Sequence, residues 1–398
     1  MKLAVVIVSY NVRHYLCQCL ESVDRASEGL DCQTVVVDNA STDDTVTHLR
    51  IHYPQVKVIA NQQNVGFAKA NNQAISCTES DYILLLNPDT IIGENVLRDA
   101  VRFLDANPTA GGAGVKMLKA DGEFANESRR GIPTPFTAFC KMSGLCALFP
   151  KSKTFGKYYM QYLDKESENP IEVISGACMF IRRSTLNQCG GQLDEDFFMY
   201  GEDIDLSFRL LKTGATNHYL PLAILHYKGE STKKSSYRYI HVFYQAMLIF
   251  FRKHFSHYSL LLSLPIRGAI YFRGACAYLG NKLRRKRQNN KDASLGYMQQ
   301  RKYVCIATED NARAIHQILL RHHIATDTIP ATTRLTDLPP QTIETLGEHD
   351  YIIFDCDRYS YKDILNFLEK CSTMKNKPKI ATYGSSQGTV ITDFFIFE

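Results

Sequence analysis

Short runs of apolar residues alternate with helix-like stretches along the first ninety residues of the chain. The runs consist of β-branched and aliphatic side chains, which are typical of strands buried on both faces of a sheet. They cover residues 3–8, 34–37, 56–59 and 82–86. The stretches between them have helical character, and one begins at the good N-cap cluster of residues 41–44. This alternation predicts a βαβ architecture with a parallel sheet.

The rest of the chain divides into an irregular part, an ordered part and a second α/β pattern. Residues 111–170 are rich in Gly, Pro and aromatic residues and predict loops over a site, whereas order returns at 171–181. From about residue 300, apolar runs and helical stretches alternate again, which predicts a small Rossmann-like domain. Its first turn after a strand lacks the Gly-x-Gly-x-x-Gly pattern that brings a backbone close to pyrophosphate. We therefore expect a degenerate nucleotide-binding module with a regulatory or partner-docking role.

The formal net charge of +5 is an average over two unlike regions. Between Glu230 and Asp292 there is no acidic residue, and this stretch holds 13 of the 46 Lys and Arg residues. The remaining 33 basic residues face 41 acidic ones, so the rest of the chain is mildly acidic. This distribution excludes a uniformly basic nucleic-acid coat, and it requires a local explanation for the basic stretch.

The basic stretch is also strongly apolar. Its best window for a membrane span, residues 259–280, contains Arg267, Arg273 and Pro265, so a full span is disfavoured. Apolar helices mixed with Lys, Arg and Tyr favour a helical segment lying on an anionic membrane surface. A helical appendage packed on a neighbouring domain is the alternative. Nucleic-acid binding is the weakest interpretation, because the basic residues do not form a polar groove.

Cysteine usage and the first residues of the chain both favour the cytosol. None of the twelve cysteines forms the paired C-x-x-C spacing of a structural zinc site, and many have apolar neighbours. We expect buried, reduced thiols. The apolar run at residues 3–8 is too short for a secretory signal and is better explained as a buried first strand.

Polar residues follow the predicted strands where ligands bind in sheets of this kind. Asp38 and Asp89 each come just after an apolar run, and Asn11 has the equivalent place after the first run. A carboxylate there can accept hydrogen bonds from a ribose or a base, or hold a divalent cation. Each aspartate alone could equally cap a turn. Together with Asn11, they favour a site.

Two further motifs remain ambiguous from the residues alone. Glu202 and Asp203 precede an apolar-periodic stretch, so they are either the acidic start of a helix or a general base beside an aromatic wall. His226 ends an apolar run and is more often a structural residue. It becomes a candidate ligand for a metal or a diphosphate only if the sheet places it beside Asp89.

Seven motifs in order resemble the family 2 glycosyltransferases, in particular the rhamnosyltransferase-like group. They are Val8–Asn11, Val37–Asp43, Asn64–Asn72, Leu86–Asp89, Ser175–Ala177, Phe197–Leu206 and His226–Ser231. The resemblance covers residues 3 to about 231, which is over half of the chain. It implies a GT-A fold, a nucleotide-sugar donor and inversion at the anomeric carbon.

The resemblance also implies roles for individual residues. Asp203 would be the catalytic base with Glu202 beside it, and Asp89 would hold Mg²⁺ or Mn²⁺ together with His226. The donor-binding residues would be Ser9, Asn11, Asp38, Asn39, Asn64, Gly66, Asn71 and Asn87. The acceptor-side residues would be Gly176, Ala177, Phe198 and Tyr200. The family's metal motif is commonly Asp-x-Asp, whereas here it reads Asn87-Pro88-Asp89, as in many rhamnosyltransferase-like members.

The sequence thus predicts three parts: a GT-A domain over residues 1–230, a basic amphipathic membrane-associating segment over 231–295, and a small α/β domain over 296–398. We expect a hexosyltransferase that transfers sugar from a UDP-, dTDP- or GDP-linked donor to a glycan, polyprenyl-linked in the favoured form, in bacterial-type surface polysaccharide synthesis. It would be cytoplasmic and peripheral on the cytoplasmic face of the inner membrane, with no nucleic-acid partner. The alternative is a nucleotide-binding, membrane-associated scaffold without transferase activity.

Overall fold

A mixed sheet forms the framework of the N-terminal region in this computed structural model, which describes residues 1–227, 237–256 and 291–398. The strands are β1 Leu3–Ser9, β2 Cys32–Asp38, β3 Lys57–Ala60, β4 Tyr82–Leu86, β5 Thr90–Ile92, β6 Ala110–Leu118, β7 Asn169–Ile171, β8 Cys178–Arg182 and β9 Thr216–His226. Their order is β3-β2-β1-β4-β8-β6-β9-β5, with β7 paired to β9. The first four positions are parallel, as predicted, and β8 is antiparallel to both its neighbours.

Helices cover both faces of this sheet. They are α1 Arg13–Ala26, α2 Thr45–His52, α3 Phe67–Ser76, α4 Val96–Ala106, α5 Pro135–Met142, α6 Leu145–Leu148, α7 Arg183–Gln188 and α8 Glu202–Lys212. Successive residues of a strand point to opposite faces. On β1, Val5 therefore packs in the core that contains α1 and α4, whereas Val6 packs in the core that contains α3 and α8. The expectation that the apolar runs form strands buried on two faces is confirmed for β1, β2 and β4, whereas the run at 56–59 forms the edge strand β3, whose residues are half-buried or exposed.

Strand β6 corrects one expectation from the sequence. Residues 111–170 were predicted to be loops, but Ala110–Leu118 is a fully buried strand between β8 and β9. Its glycines made the segment look unlike a strand in the sequence, but close packing requires them. A Cβ atom at Gly112 would lie 2.8 Å from the Phe180 carbonyl oxygen, and one at Gly114 would lie 2.9 Å from the Ile174 side chain.

Helix α9, Tyr237–His254, belongs to the basic stretch and packs on the N-terminal domain. Ala246 and Phe250 are buried in a cluster with Ile204 of α8. The packed-appendage alternative therefore describes this part of the stretch. Residues 228–236 and 257–290, which hold most of the predicted membrane-associating segment, lie outside the described residues. Among the helices that are described, none has the length and apolar character needed to cross a bilayer.

The C-terminal residues form a second α/β sheet, as predicted. Its strands are β10 Tyr303–Ala307, β11 Thr326–Pro330, β12 Tyr351–Asp355, β13 Lys379–Gly384, β14 Thr389–Thr392 and β15 Ile396–Phe397, in the order β11-β10-β12-β13-β14-β15. Its helices are α10 Lys291–Gln299, α11 Glu309–Arg321, α12 Pro340–Leu346 and α13 Tyr361–Cys371. The first four strands of the order are parallel, and β14 and β15 extend the sheet antiparallel.

The two α/β units share one continuous hydrophobic cluster, which joins Leu225 and Tyr227 to residues of the second sheet. Polar contacts surround it. The Nζ atom of buried Lys116 lies 2.8 Å from carboxylate oxygens of both Glu166 and Glu369. Glu94 accepts two backbone N–H groups from the start of α13, at 2.7 and 2.8 Å. The second unit is therefore built onto the first, although the predicted boundaries at 230 and 295 stay predictions.

Candidate active site

The carboxyl ends of β1, β2 and β4 bring the first group of predicted residues to one edge of the sheet. Ser9 and Asp38 are register partners at the ends of β1 and β2, and Asn87 directly follows β4. Ligands of open α/β sheets bind outside this edge. A cavity of about 250 Å³ opens there and extends to the N-terminus of α8. The predicted donor side and the predicted base therefore face one space.

The two carboxylate oxygens of Asp38 differ in their hydrogen bonding. The side chain is almost completely buried, and Oδ2 accepts the Ser41 N–H at 2.9 Å. Its other oxygen, Oδ1, is buried without a hydrogen-bond partner among the described residues. A buried polar atom without a partner costs free energy that a bound N–H or O–H group would recover. Asn11, by contrast, is exposed and accepts the Thr42 N–H at 2.7 Å, so it ties two loops together.

The Asn64–Asn72 motif is mainly architectural. The Asn39 amide donates to Asn64 Oδ1 at 3.2 Å and to the Gly66 carbonyl at 3.3 Å. Gly66 has a φ of +90°, and a Cβ atom there would lie 2.8 Å from the Phe198 carbonyl oxygen. Asn71 donates to the Phe67 carbonyl within its own helix. These contacts hold the aromatic loop before α8 against the donor side of the cavity.

Asp89 and His226 lie side by side. His226 was predicted to be a candidate ligand only if the sheet placed it beside Asp89. Strand β5 pairs with β9 so that Thr90 opposes His226. His226 Nε2 is 3.4 Å from Asp89 Oδ1 and 3.3 Å from Asn87 Nδ2. A carboxylate, an imidazole and an amide oxygen are donors that suit Mg²⁺ or Mn²⁺. Within residues 1–227, 237–256 and 291–398, however, no cluster of three or more His, Cys, Asp or Glu side chains has the arrangement of a metal site.

Asp203 also lines the cavity, from the first turn of α8. Its Oδ2 pairs with the Arg130 guanidinium and accepts the Gly176 N–H at 3.2 Å, while Oδ1 accepts the Ile204 N–H at 2.8 Å. Burial lowers the pKa of Arg130, but the charge of Asp203 outweighs it, so the pKa is raised overall. A permanent cation therefore holds this carboxylate in place.

Glu202, next to it, has a different electrostatic character. Burial, and then the charge of Asp203, raise the pKa of Glu202 to about 8. Its Oε2 is buried with no hydrogen-bond partner among the described residues. The raised pKa favours the protonated form of this side chain at pH 7, which disfavours Glu202 as the base. Of the two predicted catalytic carboxylates, the geometry favours Asp203 as the proton acceptor.

Eleven of the sixteen predicted site residues line the cavity. These are Asn39, Asn64, Gly66, Asn87, Gly176, Ala177, Phe198, Tyr200, Glu202, Asp203 and His226. Five lie outside its wall: Ser9, Asn11, Asp38, Asn71 and Asp89. The cavity also includes Met199 of the predicted aromatic wall, and Arg130 and Tyr158, which the sequence did not predict as site residues. The prediction of loops over a site across residues 111–170 was the only signal for Arg130 and Tyr158.

Comparisons with known proteins agree on one family. The profile described as "Glycosyl transferase family 2" matches residues 4–190. An N-acetylglucosaminyl-diphospho-decaprenol L-rhamnosyltransferase of Mycobacterium tuberculosis is 28% identical over 72% of this chain and 95% of its own length. Rhamnosyltransferase WbbL of Escherichia coli is 25% identical over 59% of this chain and 91% of its own length.

Among solved structures, a mannosyltransferase from Pyrobaculum calidifontis in complex with GDP-Man and Mn²⁺ is similar, with 15% identity and a TM-score of 0.44 over 81% of this chain and 83% of the other. The α/β fold, the edge of polar residues and the matched profile agree with the motifs found in the sequence. Residues 4–190 therefore form a family 2 glycosyltransferase domain, and the chain is similar to rhamnosyltransferases.

Proposed function

We propose that this glycosyltransferase inverts the anomeric centre while it transfers a sugar from a nucleotide diphosphate to a hydroxyl group of a lipid-linked glycan. One observation carries the proposal. Asn87 and His226, which has Asp89 beside it, line the same cavity as the Asp203–Arg130 pair. A single displacement needs both groups at one site, because the acceptor oxygen attacks the anomeric carbon from the side opposite the departing diphosphate.

The donor side would hold the nucleoside through Asp38 and the diphosphate through Asn87, Asp89 and His226. Asp38 Oδ1, which has no hydrogen-bond partner among the described residues, can accept an N–H of a base or an O–H of a ribose. Asn87, Asp89 and His226 would hold Mg²⁺ or Mn²⁺. When bound, such an ion offsets the negative charge that develops on the leaving diphosphate.

The acceptor side would bind the hydroxyl group near Asp203. As the acceptor oxygen bonds to the anomeric carbon, its proton passes to Asp203, and the electrons of the old glycosidic bond leave with the diphosphate. Arg130 and the Gly176 N–H orient the carboxylate before the reaction. General-base catalysis of this kind contributes about 10²–10⁴-fold to the rate.

The curated relatives support the class of acceptor. The mycobacterial relative, by its name, acts on an N-acetylglucosaminyl-diphospho-decaprenol, and this chain spans 95% of that protein. We therefore infer a polyprenyl-diphosphate glycan as acceptor, in the synthesis of a cell-surface polysaccharide at the cytoplasmic face of a membrane. The donor would carry UDP, dTDP or GDP.

Asp203→Asn tests the proposal directly. The variant should lose transfer by at least about 10²-fold, because the amide cannot take the proton. A panel of nucleotide sugars, with and without Mn²⁺, should still raise its melting temperature as in the wild type, because a ligand that binds the folded state stabilises it. Asp196→Asn, outside the cavity wall, is the matched control. Wild-type turnover in Asp203→Asn would remove Asp203 as the base.

A further inference from the structure

Helices α5 and α6 expose an unusual concentration of large apolar side chains. Phe136, Phe139, Met142, Leu148 and Phe149, which we call the α5–α6 face, are each at least 50% exposed. They account for five of the twelve exposed large apolar residues in the described part of the chain, within fourteen positions of sequence. Single exposed apolar residues are ordinary, but a contiguous group marks an interaction surface.

The arrangement of α5 shows that this exposure is built into the helix. Thr134 caps its N-terminus, with its hydroxyl accepting the Thr137 N–H at 3.2 Å. Thr137 and Cys140 are buried, three positions apart, while the three exposed apolar residues of α5 recur at the same spacing on the other side. A surface helix normally buries its apolar side. Helix α5 does the reverse, so no part of the chain that the structure describes covers its apolar side.

The charge around the face indicates what kind of surface would be complementary to it. Residues 128–163 contain six Lys and Arg residues and no Asp or Glu. Arg129 and Arg130 are turned inward, and Lys157 pairs with Glu172 at 2.8 Å. Lys151 and Lys153 are exposed directly after Phe149, and neither pairs with an acidic group among the described residues.

Aromatic and aliphatic side chains flanked by lysines are the composition of surfaces that lie in an anionic bilayer interface. A second copy of the chain fits less well. In a twofold contact through this face, Lys151 and Lys153 would approach the same lysines of the other copy. A bilayer with anionic lipids is complementary to both the apolar and the basic parts of the surface.

Helix α5, which carries three residues of the face, is connected to the candidate active site through Lys141. Lys141 of α5 lies over the rings of Tyr159 and Tyr158, with Nζ at 3.6 and 5.0 Å from their centres. Tyr158 lines the cavity together with Arg130, which holds Asp203. We propose that the α5–α6 face is a membrane-contact surface for an anionic bilayer, placed beside the acceptor side of the cavity. Its benefit for a lipid-linked acceptor rests on the proposed function, but the contact itself does not.

The absence of tryptophan from the sequence permits a site-specific test. In Phe139→Trp, the single indole should shift its emission to the blue when phosphatidylglycerol vesicles are added, and brominated lipids should quench it. Leu320→Trp, at a position 64% exposed on α11, is the matched control and should not respond. This readout distinguishes the face from any other segment that brings the protein to the vesicle. An unchanged Phe139→Trp spectrum while the protein sediments with the vesicles would overturn the proposal.

Other outcomes identify other occupants of the face, and each overturns the proposal. A blue shift without vesicles that grows with protein concentration would indicate self-association, and one at all concentrations would indicate cover by the chain itself.

Lys151→Gln/Lys153→Gln should bind anionic vesicles about tenfold to thirtyfold more weakly, since each basic residue near the surface contributes about 1 kcal/mol. Lys370→Gln/Lys375→Gln is the control. Equal binding of the wild type to neutral phosphatidylcholine vesicles would contradict the role of charge.

Transfer to a water-soluble acceptor without vesicles separates this proposal from the proposed function. Phe139→Ser should retain that activity and lose activity on an acceptor embedded in anionic vesicles. If the soluble reaction is absent in the wild type, the proposed function fails while the membrane contact can still be detected by the tryptophan. If both reactions are unaffected by Phe139→Ser, the link between the face and the acceptor is wrong.

Discussion

Glu202→Gln isolates the electrostatic cost of one buried carboxyl group. Burial and the neighbouring Asp203 raise the pKa of Glu202 from 4.5 to about 8. The folded protein therefore retains a proton that the unfolded chain releases above pH 4.5. As the pH rises from 4.5 to about 8, this difference increasingly favours unfolding, and above pH 8 the penalty is constant. Glutamine does not titrate, so Glu202→Gln should not show this fall in the free energy of unfolding as the pH rises.

The magnitude follows from the width of this pH window. The stability of the wild type relative to Glu202→Gln should fall by up to 1.36 kcal/mol per pH unit, or roughly 2–4 kcal/mol between pH 5 and 8. Urea unfolding of both proteins at pH 5, 6, 7, 8 and 9 measures the difference. A fixed offset caused by the new amide group does not affect the slope. Glu28→Gln, at an exposed position, is the control and should show no trend.

The same variant tests which carboxylate acts as the base. Because the raised pKa favours the neutral form of Glu202 at pH 7, Glu202→Gln should keep its transfer rate within a few-fold, whereas Asp203→Asn should not. A stability difference that is flat from pH 5 to 9 would refute the raised pKa. A loss of activity at pH 7 as deep as that of Asp203→Asn would refute the neutral role of Glu202.

Three further changes have outcomes that the structure fixes. Asp89→Ala should abolish the additional thermal stabilisation that Mn²⁺ gives in the presence of donor, and unchanged stabilisation by Mn²⁺ would exclude Asp89 from the metal site. Lys116→Met removes the cation between two glutamates and should lower the free energy of unfolding by about 1–3 kcal/mol in urea, whereas Lys119→Met, at an exposed pair, should cost less than about 1 kcal/mol. Gly66→Ala forces a Cβ atom against the Phe198 carbonyl at a φ of +90°. This variant should therefore have a lower melting temperature and weaker donor binding than the wild type. Wild-type values of both would contradict the close packing at Gly66.

The edge of polar residues after β1, β2 and β4 was predictable because its signals are local. The runs that became β1, β2 and β4 are continuous and apolar, and the polar residue after each run marks the edge without any knowledge of distant contacts. Strand β6 was missed because its glycines are weak strand formers in isolation. They are explained only by Ile174 and Phe180, which pack against Gly112 from later parts of the chain.

Arg130 shows the limit of local signals at the site itself. It is one of two adjacent arginines in a stretch without regular pattern, and its partner Asp203 is 73 residues away. Nothing within a short window of sequence indicates this pair. The hydrogen bond between Gln18 and Thr382 joins the two α/β units over 364 residues, so the fit of the second unit on the first was equally hidden.

The position of the second α/β unit bears directly on the chemistry of the first. His226 is held between Leu225 and Tyr227, and both of these neighbours are buried in the cluster that the two units share. Strand β5, which opposes His226, contributes Ile91 to the same cluster. The backbone that places His226 beside Asp89 is therefore covered by the second sheet rather than by solvent. A loosened second unit would expose this backbone, so we expect it to disturb the position of His226 beside Asp89.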